Sequence, residues 1–123
     1  MIGRGQGYNL KVRRDRALRA RFQEHILEKL REAEELTGDP LGSIRNLVVD
    51  LGAVPVARML VDPQDVRDPP AGFLRLLEHD LARLTIEQAI VDFAHAGLFT
   101  EAEIETAKAR LAIFSRHKPR PGI

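Results

Sequence analysis

Residues 84–111, LTIEQAIVDFAHAGLFTEAEIETAKARL, identify the fold class. They hold two capping boxes, Thr85-Ile86-Glu87-Gln88 and Thr100-Glu101-Ala102-Glu103. In such a box the Thr hydroxyl and the side chain three residues later satisfy backbone N–H groups that a helix start leaves free. The spacing predicts one helix that stops near Gly97 and a second that runs to about Ser115. The inward faces are predicted to carry Ile86, Ala89, Ile90 and Phe93 in the first helix, and Ile104, Ala107, Leu111 and Phe114 in the second.

A long helix is predicted upstream, from about Asp15 to Leu36. It ends at Thr37-Gly38-Asp39-Pro40, because Gly suits the left-handed position after a helix and Pro cannot continue one. Leu27 lies outside the main apolar face, which indicates contact on a second face, either with a helix of this chain or with a second copy. The main face consists of Leu18, Phe22, Ile26, Leu30, Ala33 and Leu36.

Two shorter helices are predicted in the middle of the chain. The first covers 44–51, with Ser43 or Asp39 as its cap and Gly52 at its end. The second covers 54–61, where β-branched residues make a strand the alternative. A lone strand would have no partner in this chain, so a helix is the preferred interpretation.

A Pro- and Asp-rich loop is predicted over 62–70, where proline excludes helix sterically. Gly72-Phe73 then opens a further helix with Leu76, Leu77, Leu81 and Leu84 on one side. Because no strand pair or hairpin signal is found, the predicted fold is all-α, a compact bundle of five or six helices with a basic N-terminal arm.

The composition excludes several classes of protein. With 123 residues and 44% apolar residues, the chain is long enough for one domain with one core. It has no Cys, which excludes disulfides, thiolate metal sites and cysteine nucleophiles. Its N-terminus lacks the apolar core of a secretory signal, and the apolar runs are too short to span a bilayer. The expected compartment is the cytoplasm.

The net charge of +1 conceals a segregation of charge along the chain. Residues 1–21 sum to +6, residues 22–115 to −8 and residues 116–123 to +3. Basic segments of this kind are typical of arms that bind polyanions. The predicted organisation is a flexible basic arm over 1–14, a single helical domain over 15–115 and a basic tail over 116–123.

The cations of the two ends are the candidate binding residues. Such residues neutralise phosphates, and Arg also binds phosphate through its planar fork and stacks on bases. The favoured hypothesis is a non-enzymatic binding or accessory protein that engages nucleic acid or a nucleoprotein assembly. The alternative is a homo-oligomeric structural or adapter protein whose basic ends dock onto acidic protein surfaces. The candidate residues are Arg4, Lys11, Arg13, Arg14, Arg16, Arg19, Arg21, Arg116, Lys118 and Arg120.

The remaining motifs do not indicate a DNA-reading helix, a metal site or a catalytic site. The two helices around Gly97 have the order of a helix-turn-helix, but Glu101, Glu103 and Glu105 would repel phosphates, which favours packing over DNA recognition. Asp92 and His95 are three residues apart on one helix, a spacing that brings two ligands together but supplies no complete metal site. No phosphate loop, dinucleotide fingerprint or nucleophile elbow is present. The sequence therefore indicates no catalytic residue, metal site or cofactor.

One further pattern lies between Pro70 and Leu111. Its residues are Gly72-Phe73, Leu76, Glu78, Arg83-Leu84, Thr85, Glu87, Leu98-Phe99-Thr100, Glu103, Ala107 and Arg110-Leu111. The pattern resembles a segment of uncharacterised small bacterial helical proteins, although their usual Gly-Arg-Leu-Asp-Leu stretch is here Asp80-Leu81-Ala82-Arg83-Leu84. The resemblance implies a bacterial helical module and carries no activity.

Overall fold

Six α-helices and three short 3-10 turns make up the described chain. The computed structural model describes residues 2–115, with side chains from residue 10 onward. Within that part there is no β-strand, so the predicted all-α class is confirmed. The helices are α1 (Ile2–Thr37), α2 (Gly42–Leu51), α3 (Ala53–Leu60), α4 (Ala71–Glu78), α5 (Ile86–Asp92) and α6 (Glu101–Ser115). The 3-10 turns are Pro63–Asp65, Ala82–Leu84 and Ala94–Ala96.

The first helix is longer than the sequence predicts. It begins at Ile2, not near Asp15, so it includes residues 2–14 of the segment that the sequence assigns to an arm. Extending an existing helix gains one backbone hydrogen bond for each residue fixed, whereas starting one is costly. A helix that is already held by a packed apolar face can therefore continue over glycines that would not start one. The predicted C-terminal end is confirmed, since α1 stops at Thr37 and Gly38 has a φ of 76°.

The second helix begins differently from the prediction. Neither Ser43 nor Asp39 caps it, because the residue at the cap position is Leu41. The side chain of Glu34 on α1 accepts the hydrogen bond of the Leu41 backbone N–H at 2.9 Å. The predicted end at Gly52 is confirmed.

The third helix and the loop after it follow the prediction more closely. α3 confirms helix over strand for 54–61. The predicted loop 62–70 contains one 3-10 turn, Pro63–Asp65, in which Asp62 accepts a hydrogen bond from the Gln64 backbone N–H. The exclusion of all helix there is wrong because Pro fits the first position of a helical turn, where no N–H is needed.

The core is formed mainly by α1, α3, α5 and α6. Phe22 of α1 is its centre, with edge-on contacts to Phe93 and Phe99 at ring-centroid distances of 5.2 and 5.1 Å. Leu27 also packs against the core, so a neighbouring helix of the same chain covers the second face of α1. Leu36, which the pattern places on the inward face, is exposed. The other inward residues predicted for α1 are buried or half-buried.

The two capping boxes differ in completeness. At Thr100 both hydrogen bonds form: the Glu103 N–H donates to the Thr100 hydroxyl at 3.1 Å, and the Thr100 N–H donates to Glu103 Oε1 at 2.8 Å. At Thr85 the hydroxyl accepts from the Gln88 N–H, but the Gln88 side chain donates forward to Asp92. Both predicted helix starts are confirmed; the box at Thr100 is complete and the box at Thr85 is half formed.

Candidate nucleic-acid interface

The predicted basic residues with described side chains all lie in one segment of α1, residues 11–21, called the basic segment below. All six of its cations are exposed. With about 100° of rotation per residue, they leave no gap wider than about 80° around the helix axis. The basic segment is therefore positive on every side. Its cations are Lys11, Arg13, Arg14, Arg16, Arg19 and Arg21.

The part of the basic segment that precedes Leu18 makes no contact with the core. Among the described side chains of α1, Leu18 is the first that packs against the core, and every described side chain before it is exposed except the half-buried Val12. A helix of 36 residues is about 54 Å long. A compact chain of this size has a radius of gyration of only about 14 Å. The described side chains of α1 before Leu18 are thus accessible to a large partner.

The cations of the basic segment differ from the other arginines in their ion pairing. Among its described side chains, only Arg19 has a carboxylate partner, Asp15, at 3.0 Å. In residues 22–115, by contrast, every arginine except Arg67 is paired. The pairs are Arg31 with Glu28 and Glu35, Arg45 with Glu34, Arg58 with Glu103, Arg75 with Asp39, Arg83 with Glu32, and Arg110 with Glu87. Six of the seven arginines in residues 22–115 are thus paired with a carboxylate, whereas five of the six cations of the basic segment have no such partner among the described residues.

Four other candidate residues belong to the ends of the chain. Arg4 lies on the backbone of α1, and its side chain is outside the described part. Arg116, Lys118 and Arg120 lie outside the described residues altogether.

The predicted packing role of the two helices around Gly97 agrees with their geometry. Glu101 and Glu105 are exposed on α6, whereas Glu103 caps the helix and lies 3.5 Å from Arg58. The opposite face of α6 is buried and includes Ala107. The exposed side of this helix therefore presents carboxylates, which repel phosphates.

The histidine that meets Asp92 comes from another helix. His95, three residues from Asp92, is exposed, whereas His25 Nε2 on α1 lies 3.7 Å from Asp92 Oδ2. His25 Nε2 is buried without a hydrogen bond, and its ring contacts Phe93. Burial lowers the pKa of His25, and the nearby Lys29 adds to this effect while Asp92 opposes it. Within the described residues no three His, Asp or Glu side chains come together as a metal site.

A buried ion pair between α5 and α6 was not predicted from the sequence. Arg110 and Glu87 are 1% and 2% exposed and lie 3.1 Å apart. Burial raises the pKa of Glu87, and its own backbone N–H and Arg110 offset part of this rise. Both residues occupy inward positions, Glu87 beside Ile90 and Arg110 beside Ala107 on the apolar faces. The signal that the sequence offers for this ion pair is the presence of opposite charges, on Glu87 and Arg110, at inward positions of two neighbouring helices.

Arg110 also holds the loop that joins α3 to α4. Its guanidinium donates to the backbone carbonyls of Leu60, Asp65 and Val66 as well as to Glu87. Arginine has five N–H donors in a planar arrangement, so one side chain can fix several acceptors. The pair is therefore a structural contact.

Comparison with protein families, curated proteins and solved structures finds no match to this chain. None of the described helices combines the length and the apolar content that a membrane-spanning helix needs.

Proposed function

We propose that this protein binds nucleic acid, free or within a nucleoprotein assembly, through the basic segment of α1. The observation that carries the proposal is the contrast in pairing: five cations of the segment have no carboxylate partner within the described residues, whereas six of the seven arginines in residues 22–115 have one. Unpaired cations release counterions from a polyanion without first breaking an internal ion pair.

The dimensions of the basic segment also favour nucleic acid as the partner. An α-helix with side chains is about 10–12 Å across, which matches the width of about 12 Å of the DNA major groove. Since the cations surround the helix, they can reach phosphates on both walls of a groove. Phosphate contacts position a protein without reading sequence, so binding with little sequence preference is expected.

The negative charge of the bundle favours one orientation of the protein relative to a nucleic acid. Residues 22–115 sum to −8, and the exposed carboxylates of α6 are part of that charge. Phosphates repel this surface and attract the basic segment. The protein is therefore expected to approach a nucleic acid with the N-terminal part of α1 first.

The test is the salt dependence of binding by the full chain, measured by fluorescence anisotropy with labelled duplex DNA and single-stranded RNA. Each phosphate contact contributes about 0.9 to the slope of log K against log salt for duplex DNA and about 0.7 for a single strand. Five unpaired cations therefore predict a slope of up to about 4.5 with duplex DNA. Substituting Arg13, Arg14 and Arg16 together by Gln is expected to lower that slope by about 2.7.

Two matched single variants distinguish binding through the basic segment from a general effect of the protein's net charge. Arg16→Gln removes an unpaired cation and is expected to lower the slope by about 0.9. Arg31→Gln removes an exposed arginine of the same helix that two carboxylates already neutralise, so the slope should stay unchanged. If the triple variant binds with the affinity and slope of the unmodified protein, the proposal is wrong.

The alternative is a homo-oligomer or adapter whose basic ends dock onto acidic protein surfaces. It rests on the same unpaired cations and on the acidic charge of residues 22–115. It predicts a mass above that of the monomer in light scattering, which falls as salt is added. A monomer at all salt concentrations, together with salt-dependent nucleic-acid binding, favours the first proposal.

A further inference from the structure

A second feature, separate from the basic segment, is a half-open cavity between α1, α2, the end of α3, α4 and the start of α5. Its volume is about 560 Å³. Small-molecule sites in proteins typically have volumes of about 300–1,000 Å³ and mostly apolar walls. The apolar lining side chains come from five helices and include Leu30, Ile44, Leu60, Phe73, Leu76 and Ile86.

The charged groups that border the cavity are already paired with each other. At the rim, the Arg75 guanidinium donates to both carboxylate oxygens of Asp39. On the wall, Glu87 is paired with the buried Arg110. A charged ligand would therefore lose its hydration without gaining an unpaired opposite charge, which is unfavourable.

The threonine hydroxyls at the border are also satisfied within the protein. Thr37 donates to the Ala33 carbonyl and accepts from the Asp39 N–H. Thr85 donates to the Ala82 carbonyl and accepts from the Gln88 N–H. Of the hydroxyl groups that line the cavity, Ser43 alone has no hydrogen bond among the described residues.

We propose that this cavity binds one small, uncharged and largely apolar molecule. The apolar walls supply the binding energy, and the self-paired polar groups select against charge. The hydroxyl of Ser43 at the border can form one hydrogen bond, which fits a ligand with a single hydroxyl or carbonyl group.

The test uses two related fluorescent dyes that differ in charge: phenylnaphthylamine, which is uncharged, and anilinonaphthalene sulfonate, which carries a sulfonate. The full chain is titrated with each dye. We expect the uncharged dye to saturate at one molecule per chain and to bind at least roughly tenfold more tightly than the sulfonate. Absence of saturable binding, or tighter binding of the sulfonate, would overturn the proposal.

Two variants locate the bound dye. Ser43→Trp places a large ring at the border, and Gly72→Leu adds a side chain where an added Cβ meets no atom within 4 Å. Each is expected to weaken binding of the uncharged dye by at least about tenfold while circular dichroism shows the normal helix content. Val49→Trp, on an exposed position of α2 that does not line the cavity, is the control and should bind normally.

Other occupants of the cavity give different results. If Ile123→Asp raises the affinity for the uncharged dye, the C-terminal segment of the chain is the occupant and the proposal is wrong. A dimer that dissociates as the dye binds would identify a second copy as the occupant, and would also overturn it. Normal dye binding by both Ser43→Trp and Gly72→Leu, with the fold retained, would also overturn the proposal.

Discussion

Replacing Arg110 with Met is expected to destabilise the protein more than any surface substitution. The side chain is 1% exposed and donates hydrogen bonds to Glu87, to the backbone carbonyl of Leu60 at the end of α3, and to the carbonyls of Asp65 and Val66 in the loop that follows. Met has a similar length but no donor, so the carboxyl group and the carbonyls lose their partner together. Breaking a buried ion pair by removing one member costs about 3–5 kcal/mol. Since small domains have stabilities of about 5–15 kcal/mol, the loss is a large part of the total.

The measurement is guanidinium unfolding followed by circular dichroism. We expect the free energy of unfolding to fall by about 3–5 kcal/mol and the Tm by more than about 10 °C. Amide hydrogen exchange in residues 62–68 should become faster than in α1, because Arg110 no longer holds that loop. Arg67→Met removes an exposed arginine of the same loop that has no ion pair with any described residue, so a change within about 0.5 kcal/mol is expected.

The dependence on pH gives an independent check. Burial raises the pKa of Glu87 above its ordinary value, so its ionisation in the folded state costs stability. Such a group contributes its stability below its unfolded pKa, and the contribution is lost as the pH rises through the folded pKa. Without Arg110 only the Glu87 backbone N–H still offsets the effect of burial on the carboxylate, and the variant should be more destabilised at pH 8 than at pH 5. A loss below about 1 kcal/mol at both pH values would refute this account of the pair.

Two further predictions concern the helix start at Thr100 and the half-buried imidazole of His25. Thr100→Ala should lower the free energy of unfolding by about 1 kcal/mol in chemical denaturation, because it removes the hydroxyl that accepts the Glu103 N–H; no measurable change would mean that the cap contributes nothing. His25→Gln should reduce the loss of stability on acidification. The lowered pKa of His25 contributes stability above its unfolded pKa of about 6.5, and this contribution is lost as the pH falls through the folded pKa. Unfolding curves between pH 7 and 5 check this, with His95→Gln, an exposed position, as the control; equal slopes for the unmodified protein and His25→Gln would contradict it.

Helix positions were predictable from sequence where the signal is local. The Thr100 box, Gly38 after α1 and Gly52 after α2 are each decided by a few adjacent residues, and all three agree with the structure. The cap of α2 was not predictable in the same way. Its acceptor is Glu34, seven residues earlier on another helix, so nothing adjacent to the helix start reveals it.

The two ends of α1 also differ in whether adjacent residues decide them. Its C-terminal end follows from Gly38 and Pro40. Its start depends on how far a helix held by Phe22 and Ile26 propagates backward over three glycines, which is a matter of cooperativity and not of local preference.

The candidate sites were predictable only in part. The charge segregation is visible in the sequence, because it needs only counting. The sequence does not show that five of the six cations of the basic segment lack a carboxylate partner among the described residues, since pairs such as Arg83–Glu32 and Arg58–Glu103 join residues far apart in the chain. The pairing of Arg110 with Glu87 and the cavity beside it likewise depend on how helices meet in space.

The separation of charge between the basic segment and residues 22–115 gives the described part of this molecule a large electric dipole moment. A dipole experiences a torque in the field of a polyanion before any contact forms, so the molecule rotates during its approach. The isoelectric point near 8.2 is then a poor guide to its behaviour on charged supports. At a pH where the total charge vanishes, one end of the protein still adheres to a cation exchanger and the other to an anion exchanger.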